Sequence, residues 1–134
     1  MLKQSIQITS DYANAYFYRA YAKHKLGHYA KAIKDYDRFI LLKPEDASAY
    51  FNRGNAKRNL NQNEDAINDY NQAIILNNDE CFYFNARGLA NINLTLYADA
   101  IVDFSRAINL DPSHAGIYIH RGIAYNNLGL YEEA

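Results

Sequence analysis

A single cysteine, Cys81, stands among 134 residues. No intrachain disulfide can form, and a reducing compartment is the simpler expectation. Two prolines and six glycines exclude collagen-like repeats and a Pro-rich linker. No sign of charge dominates. The formal net charge of -1 offers no broad attraction for nucleic acid or anionic lipid. No run of about 20 apolar residues is present to span a bilayer, and Met1-Leu2-Lys3-Gln4-Ser5 lacks the apolar core of a secretory leader. What is present suffices for a core: 49% of residues are hydrophobic and 22% charged, which argues against disorder. The expectation is one soluble cytoplasmic domain with neither nucleic acid nor membrane as partner.

Repetition is what the chain has in quantity. Shifted by 34 residues it aligns with itself without a gap. Arg19, Arg53, Arg87 and Arg121 share a column, as do Ala22, Ala56, Ala90 and Ala124, and Leu26, Leu60, Leu94 and Leu128. Tyr36, Tyr70 and Phe104 form another, followed by Ile40, Ile74 and Ile108. Apolar residues recur at helical spacing in two stretches per unit, which predicts helices near 13–26, 29–42, 47–60, 63–76, 81–94, 97–110 and 115–128. Gly27 and Gly129 sit where left-handed C-terminal caps are expected, with Asn61 a tolerable substitute and Thr95 a poorer one. Pro44 and Pro112 stop second helices, and Asp46, Asp79 and Ser113 are candidate N-caps. Ala20, Gly54, Gly88 and Gly122 fall mid-helix, where Gly costs about 1 kcal/mol relative to Ala. A recurring cost implies a recurring benefit, namely two helix backbones in close approach.

These columns resemble the tetratricopeptide repeat, a helix–turn–helix unit with aromatic, Gly/Ala, Ala, aromatic and Pro residues at set offsets. Three departures stand out: Phe39 in place of a small residue, Asn63 in place of the aromatic seen as Tyr29, Tyr97 and Tyr131, and Asn78 in place of Pro. The resemblance implies an all-α solenoid, a right-handed superhelix whose first helices line a concave face. Its complete units would be 13–46, 47–80 and 81–114, with 115–134 a truncated fourth. Residues 1–12 read as the tail of a preceding second helix, since Ser5, Ile6 and Ile8 fall on the columns of Ala73, Ile74 and Leu76. The related pentatricopeptide units read RNA with a longer repeat, and neither that period nor a basic charge is found here.

The chemistry-bearing side chains have plain structural readings. Each Arg column member in a complete unit is followed sixteen residues later by an Asp, giving Arg19 with Asp35, Arg53 with Asp69 and Arg87 with Asp103. A ladder of cations for a phosphate or acidic partner is one reading. Strict co-occurrence favours ion pairs between helices, because a partly buried Arg needs a carboxylate. His24 and His28 are four apart, but Gly27 should end their helix and part the rings, so no metal is expected. Cys81 opens a helix, yet Ala13, Ala47 and Ala115 share its column, which suits a small buried filler. No spacing suggests a nucleophile with its base, and no glycine-rich phosphate loop occurs. The chain is read as a non-enzyme without cofactors.

The columns on which units disagree point to a binding face. By the resemblance, the groove takes Phe17 and Tyr21 from the first unit, Phe51, Asn52, Asn55 and Asn59 from the second, Leu89 from the third and Ile123 from the fourth. Neighbours on that face are Tyr18, His24, Asn85, Ala86, Asn93, Ile119, His120 and Asn127. Carboxamides both donate to and accept from a peptide backbone, which suits an extended guest; simple solvation of the face is the alternative for the Asn stripe. Relatives that hold acidic chaperone tails use a clamp of Lys, Asn and Arg. The matching positions are Phe17, Tyr21, Asn52, Phe82 and Ala86, where only Asn52 fits, or one unit later Phe51, Asn55, Ala86, Gly116 and His120, again with one match. The function expected is a protein-interaction scaffold for an extended peptide or helix. One alternative is a self-assembly module stacking head to tail, with Leu2, Ile6 and Ile8 completing the fourth unit of a neighbour. Another is a substrate-docking piece of a larger protein, since Asn ladders line the repeats of O-linked N-acetylglucosamine transferases.

Overall fold

Seven helices follow one another in the computed structural model: α1 (Leu2–Lys25), α2 (Tyr29–Leu42), α3 (Ala47–Asn59), α4 (Asn63–Leu76), α5 (Cys81–Asn93), α6 (Tyr97–Leu110) and α7 (Ala115–Glu133). The structure describes the backbone of residues 2–133 and the side chains of residues 9–129. Each helix packs on its sequence neighbours, so α1 with α2, α3 with α4 and α5 with α6 are hairpins stacked in chain order. The architecture is the all-α repeat solenoid. First helices also touch one another, α1 with α3, α3 with α5 and α5 with α7, whereas α2, α4 and α6 do not among the described residues.

Turn chemistry sets the boundaries. Between first and second helices the chain reverses through a left-handed residue: Gly27 at φ 81°, Asn61 at 64° and Thr95 at 62°. The residue after each donates its amide back to the helix, His28 to the Lys23 carbonyl at 2.8 Å, Gln62 to Lys57 at 2.9 Å and Leu96 to Asn91 at 2.8 Å. This is the Schellman closure, and Thr95 holds it despite a β-branched side chain that disfavours positive φ. α4 stops on the same column as α2 and α6 without a proline, because Asn77 Oδ1 accepts the Asp79 amide at 3.1 Å and turns the chain.

The core is built on rings. Tyr36, Tyr70 and Phe104 are the largest fully buried side chains. A Cβ added to Gly54 would lie 2.7 Å from Tyr70 Cε1, and one on Gly88 would lie 2.5 Å from Phe104 Cε1. The expected close approach is therefore not backbone on backbone; the ring of the second helix presses on the glycine of the first. In the first hairpin Ala20 packs with Ala32 and Tyr36. Phe39 takes up the room left by small neighbours, buried with Ala13 and Ala49. Asn63 replaces ring packing by hydrogen bonding, accepting from Asn93 Nδ2 at 3.0 Å.

Several expectations need correction. Residues 2–12 are not a separate second helix but the beginning of α1. Their turn columns hold Thr9-Ser10-Asp11-Tyr12, with no Pro or Asn to break the helix and a Tyr in the cap column, which cannot cap. α7 runs through Gly129 to Glu133, and Gly129 is not left-handed; among the described residues nothing packs within 4 Å of it, and the helix continues through it. The same is true of Gly122, which meets nothing within 4 Å. The α5 cap is Glu80 and not Asp79: Glu80 accepts the Phe82 amide. Before α7 the corresponding position is His114, and Ser113 instead donates to Asp111. Leu2, Ile6 and Ile8, on which head-to-tail stacking rests, lie outside the described side chains.

Gly88→Ala should destabilise the fold by about 1–3 kcal/mol through overpacking against Phe104. Gly122→Ala should stabilise it by about 0.5–1 kcal/mol, the ordinary helix-propensity gain. Urea unfolding monitored by circular dichroism gives both signs.

Candidate functional site

The first helices α1, α3, α5 and α7, which touch one another in sequence, are tied to the second helices by a lattice of guanidinium groups. Arg19 forks onto Asp35 with Nε and Nη2 at 2.8 and 2.7 Å. Arg53 does the same to Asp69 at 2.9 and 2.7 Å. Arg87 reaches Asp103 at 3.0 and 2.7 Å. Each carboxylate is buried and takes a further donor from the residue one turn beyond the Arg: Lys23 at 2.9 Å, Lys57 at 3.1 Å and Asn91 at 3.0 Å. The guanidinium also reaches back one hairpin, Arg53 to Asp37 at 2.8 Å, Arg87 to Asn71 at 2.9 Å and Arg121 to Ser105 at 3.4 Å. Every Arg lies over the aromatic ring three residues earlier, as Arg87 does over Phe84 at 5.6 Å. The Arg19 guanidinium holds the Asp35 carboxyl below its ordinary range. These cations are engaged within the protein, and the geometry is that of a structural lattice.

The groove residues sort by exposure. Tyr21 and Ile123 are exposed, 47% and 46%. Asn59 is also exposed, while Phe17, Phe51, Asn52, Asn55 and Leu89 are half-buried. Phe17 stands edge-on to Tyr36, 5.9 Å between centroids, and 5.1 Å from Phe39. Phe51 packs at 4.8 Å on Tyr83. Asn55 accepts a 2.6 Å hydrogen bond from the Tyr70 hydroxyl, which in turn accepts from Arg58 Nε at 3.1 Å. Asn85 Oδ1 is 3.0 Å from His120 Nδ1. Ala86 does not line the face; it is buried against Ala66, Tyr70 and Ala90. Arg58 and Tyr83 were missed from sequence, although Arg58 is three residues after Asn55 and seven after Phe51, on the same helical stripe.

Burial depresses both imidazoles on this face, with the Arg58 charge adding to the effect on His24 and His120. His24 Nδ1 is buried without a hydrogen-bond partner, its ring 5.1 Å from that of Tyr29. Cys81 is buried, and burial with the nearby carboxylates of Glu80 and Asp111 pushes its thiol up, so it is no activated nucleophile. Asp111 and His114 lie beside it: one donor atom from each of the three falls within 4.8 Å of the others. Spacing of thirty residues gave no hint of that grouping. Among the described residues no helix is long and apolar enough to cross a membrane.

Comparison with known proteins bears on this geometry. A family model described as "Tetratricopeptide repeat" matches residues 47–80, and one described as "TPR repeat" matches residues 22–58. No curated protein matches the sequence. Among solved structures, the second TPR domain of human RPAP3 in complex with the HSP70 peptide SGPTIEEVD is 25% identical, with a TM-score of 0.81, covering 90% of this chain and 98% of that one. The first TPR of Spaghetti (RPAP3), bound to the HSP90 peptide SRMEEVD, is 24% identical at a TM-score of 0.86, covering 90% and 95%. MamA is 23% identical at 0.86, covering 98% of this chain and 77% of its own.

Two measurements probe the site. Arg87→Met leaves the buried Asp103 carboxylate without its fork and should cost about 3 kcal/mol; Arg19→Met, at a guanidinium with 59% of its side chain exposed, should cost clearly less. Histidines held neutral in the fold bind fewer protons than the unfolded chain below its ordinary value of 6.5, so stability should fall as pH drops from about 7 to about 5. Urea midpoints across that range should fall less for a His24→Gln, His120→Gln double variant.

Proposed function

From a chain that belongs to the tetratricopeptide-repeat family, we infer a non-catalytic interaction scaffold that holds an extended peptide or helix on its concave face. The observation that carries this reading is the run of apolar, aromatic and carboxamide side chains along helices that touch: Phe17, Tyr21, Phe51, Asn52, Asn55, Asn59, Leu89 and Ile123. Rings and branched side chains supply anchors, and half-exposed carboxamides answer a backbone that has no partner of its own. Asn55, fixed by Tyr70, is pre-oriented for such a contact.

The solved structures of similar fold hold HSP70 and HSP90 peptides that end in EEVD. An acidic end needs cations, and the clamp positions Phe17, Tyr21, Phe82 and Ala86 supply none. Arg58, the cation on this stripe, is tied to Tyr70. The guest is therefore apolar or aromatic in character and read through its backbone, with burial of its side chains as the main driving force.

Peptide-display selection on the whole chain tests this. Selected peptides should be rich in apolar residues, and Tyr21→Ala with Ile123→Ala should weaken them by about tenfold or more. Both side chains are exposed, so circular dichroism should remain unchanged; Lys31→Ala on the outer α2 should leave affinity intact. Equal binding to the double variant, or tight binding of SRMEEVD, would overturn the reading.

A further inference from the structure

We propose that Cys81, Asp111 and His114 form a binding site for one zinc-type divalent ion, which fastens the α6–α7 turn to the start of α5. Sγ of Cys81, a carboxylate oxygen of Asp111 and a ring nitrogen of His114 lie within 4.8 Å of one another. His114 Nε2 already faces Asp111 Oδ2 at 3.0 Å; the ion would take the place of the proton between them. Zinc bonds of 2.0–2.3 Å arranged tetrahedrally put donors roughly 3.5 Å apart. The remaining closure is small, and Asp111 and His114 are both half-buried, not locked in the core.

Neighbouring groups are arranged as a support for such ligands. Asp111 Oδ1 accepts from the Ser113 amide at 3.1 Å and its hydroxyl at 2.6 Å, which fixes the carboxylate and leaves Oδ2 for the ion. The His114 ring packs 4.8 Å from that of Phe82, limiting its rotation. Glu80 Oε1 lies 3.9 Å from the thiol and accepts the Phe82 amide. A thiolate, an imidazole and a carboxylate together suit zinc or cobalt and not calcium or magnesium, which take oxygen ligands.

The set is no by-product of the repeat. At the same three columns the preceding unit has Ala47, Asn77 and Glu80, and the one before it Ala13, Lys43 and Asp46. Neither turn offers a soft donor. Only here does a position otherwise filled by alanine carry sulfur beside an imidazole.

The test uses the reduced whole chain titrated with Co2+, then Zn2+. The expected result is one Co2+ per chain with a thiolate-to-cobalt charge-transfer band, its displacement by Zn2+, and a rise in Tm that EDTA reverses. Cys81→Ala, the residue the repeat itself uses there, and His114→Ala should each weaken binding by more than about tenfold and abolish or shift the band. His28→Ala should change neither. Circular dichroism of the metal-free variants confirms their fold before titration. Absence of a charge-transfer band in the wild-type chain, or a band and Tm rise that survive both substitutions, would overturn the proposal.

Discussion

An aromatic ring laid on a glycine is the contact on which this fold depends. Phe104 on Gly88 and Tyr70 on Gly54 leave no room even for a methyl group, so in those two hairpins the ring itself sets how closely the helices pack. The mid-helix glycines weaken the isolated helix and are tolerable only because packing more than compensates. Among the described residues no ring reaches Gly122. Burial of three large rings then supplies much of the apolar driving force, with Ala66 clustered beside Tyr70 and Ala100 beside Phe104.

A second layer of order is polar. Arg53 and Arg87 each bridge their own hairpin and the one before it, Arg53 between Asp69 and Asp37 and Arg87 between Asp103 and Asn71. Ring packing fixes distance without direction; a forked pair fixes direction as well, because its planar geometry admits one approach. Hairpin is thereby keyed to hairpin. That keying determines how α1, α3, α5 and α7 line up along the stack.

Much of this was legible in the sequence because its causes are local. Periodicity gave the helices, and the left-handed positions at Gly27, Asn61 and Thr95 followed from their place between two amphipathic stretches. Columns misled where identical residues meet different surroundings. Gly122 and Gly129 share columns with turn or contact glycines, but nothing packs on them. Residues 2–12 matched a second helix in hydrophobic pattern, while the turn residues that would have separated them from α1 are missing. On the inner face, periodicity chose the stripe but not the burial of Ala86, which depends on Tyr70 from another helix. The grouping of Cys81 with Asp111 and His114 arises from two turns that close only after the hairpin has formed.

The asymmetry of contact between the two sets of helices has a mechanical consequence. α1, α3, α5 and α7 meet one another, and α2, α4 and α6 do not among the described residues. Such a stack resembles a spine with its joints on one side: flexing it changes the gaps between outer helices, where no packing is lost, while the inner joints act as pivots. A change of curvature is spread over several joints, each moving little. The stack can thus change its curvature by elastic deformation, without melting any single helix.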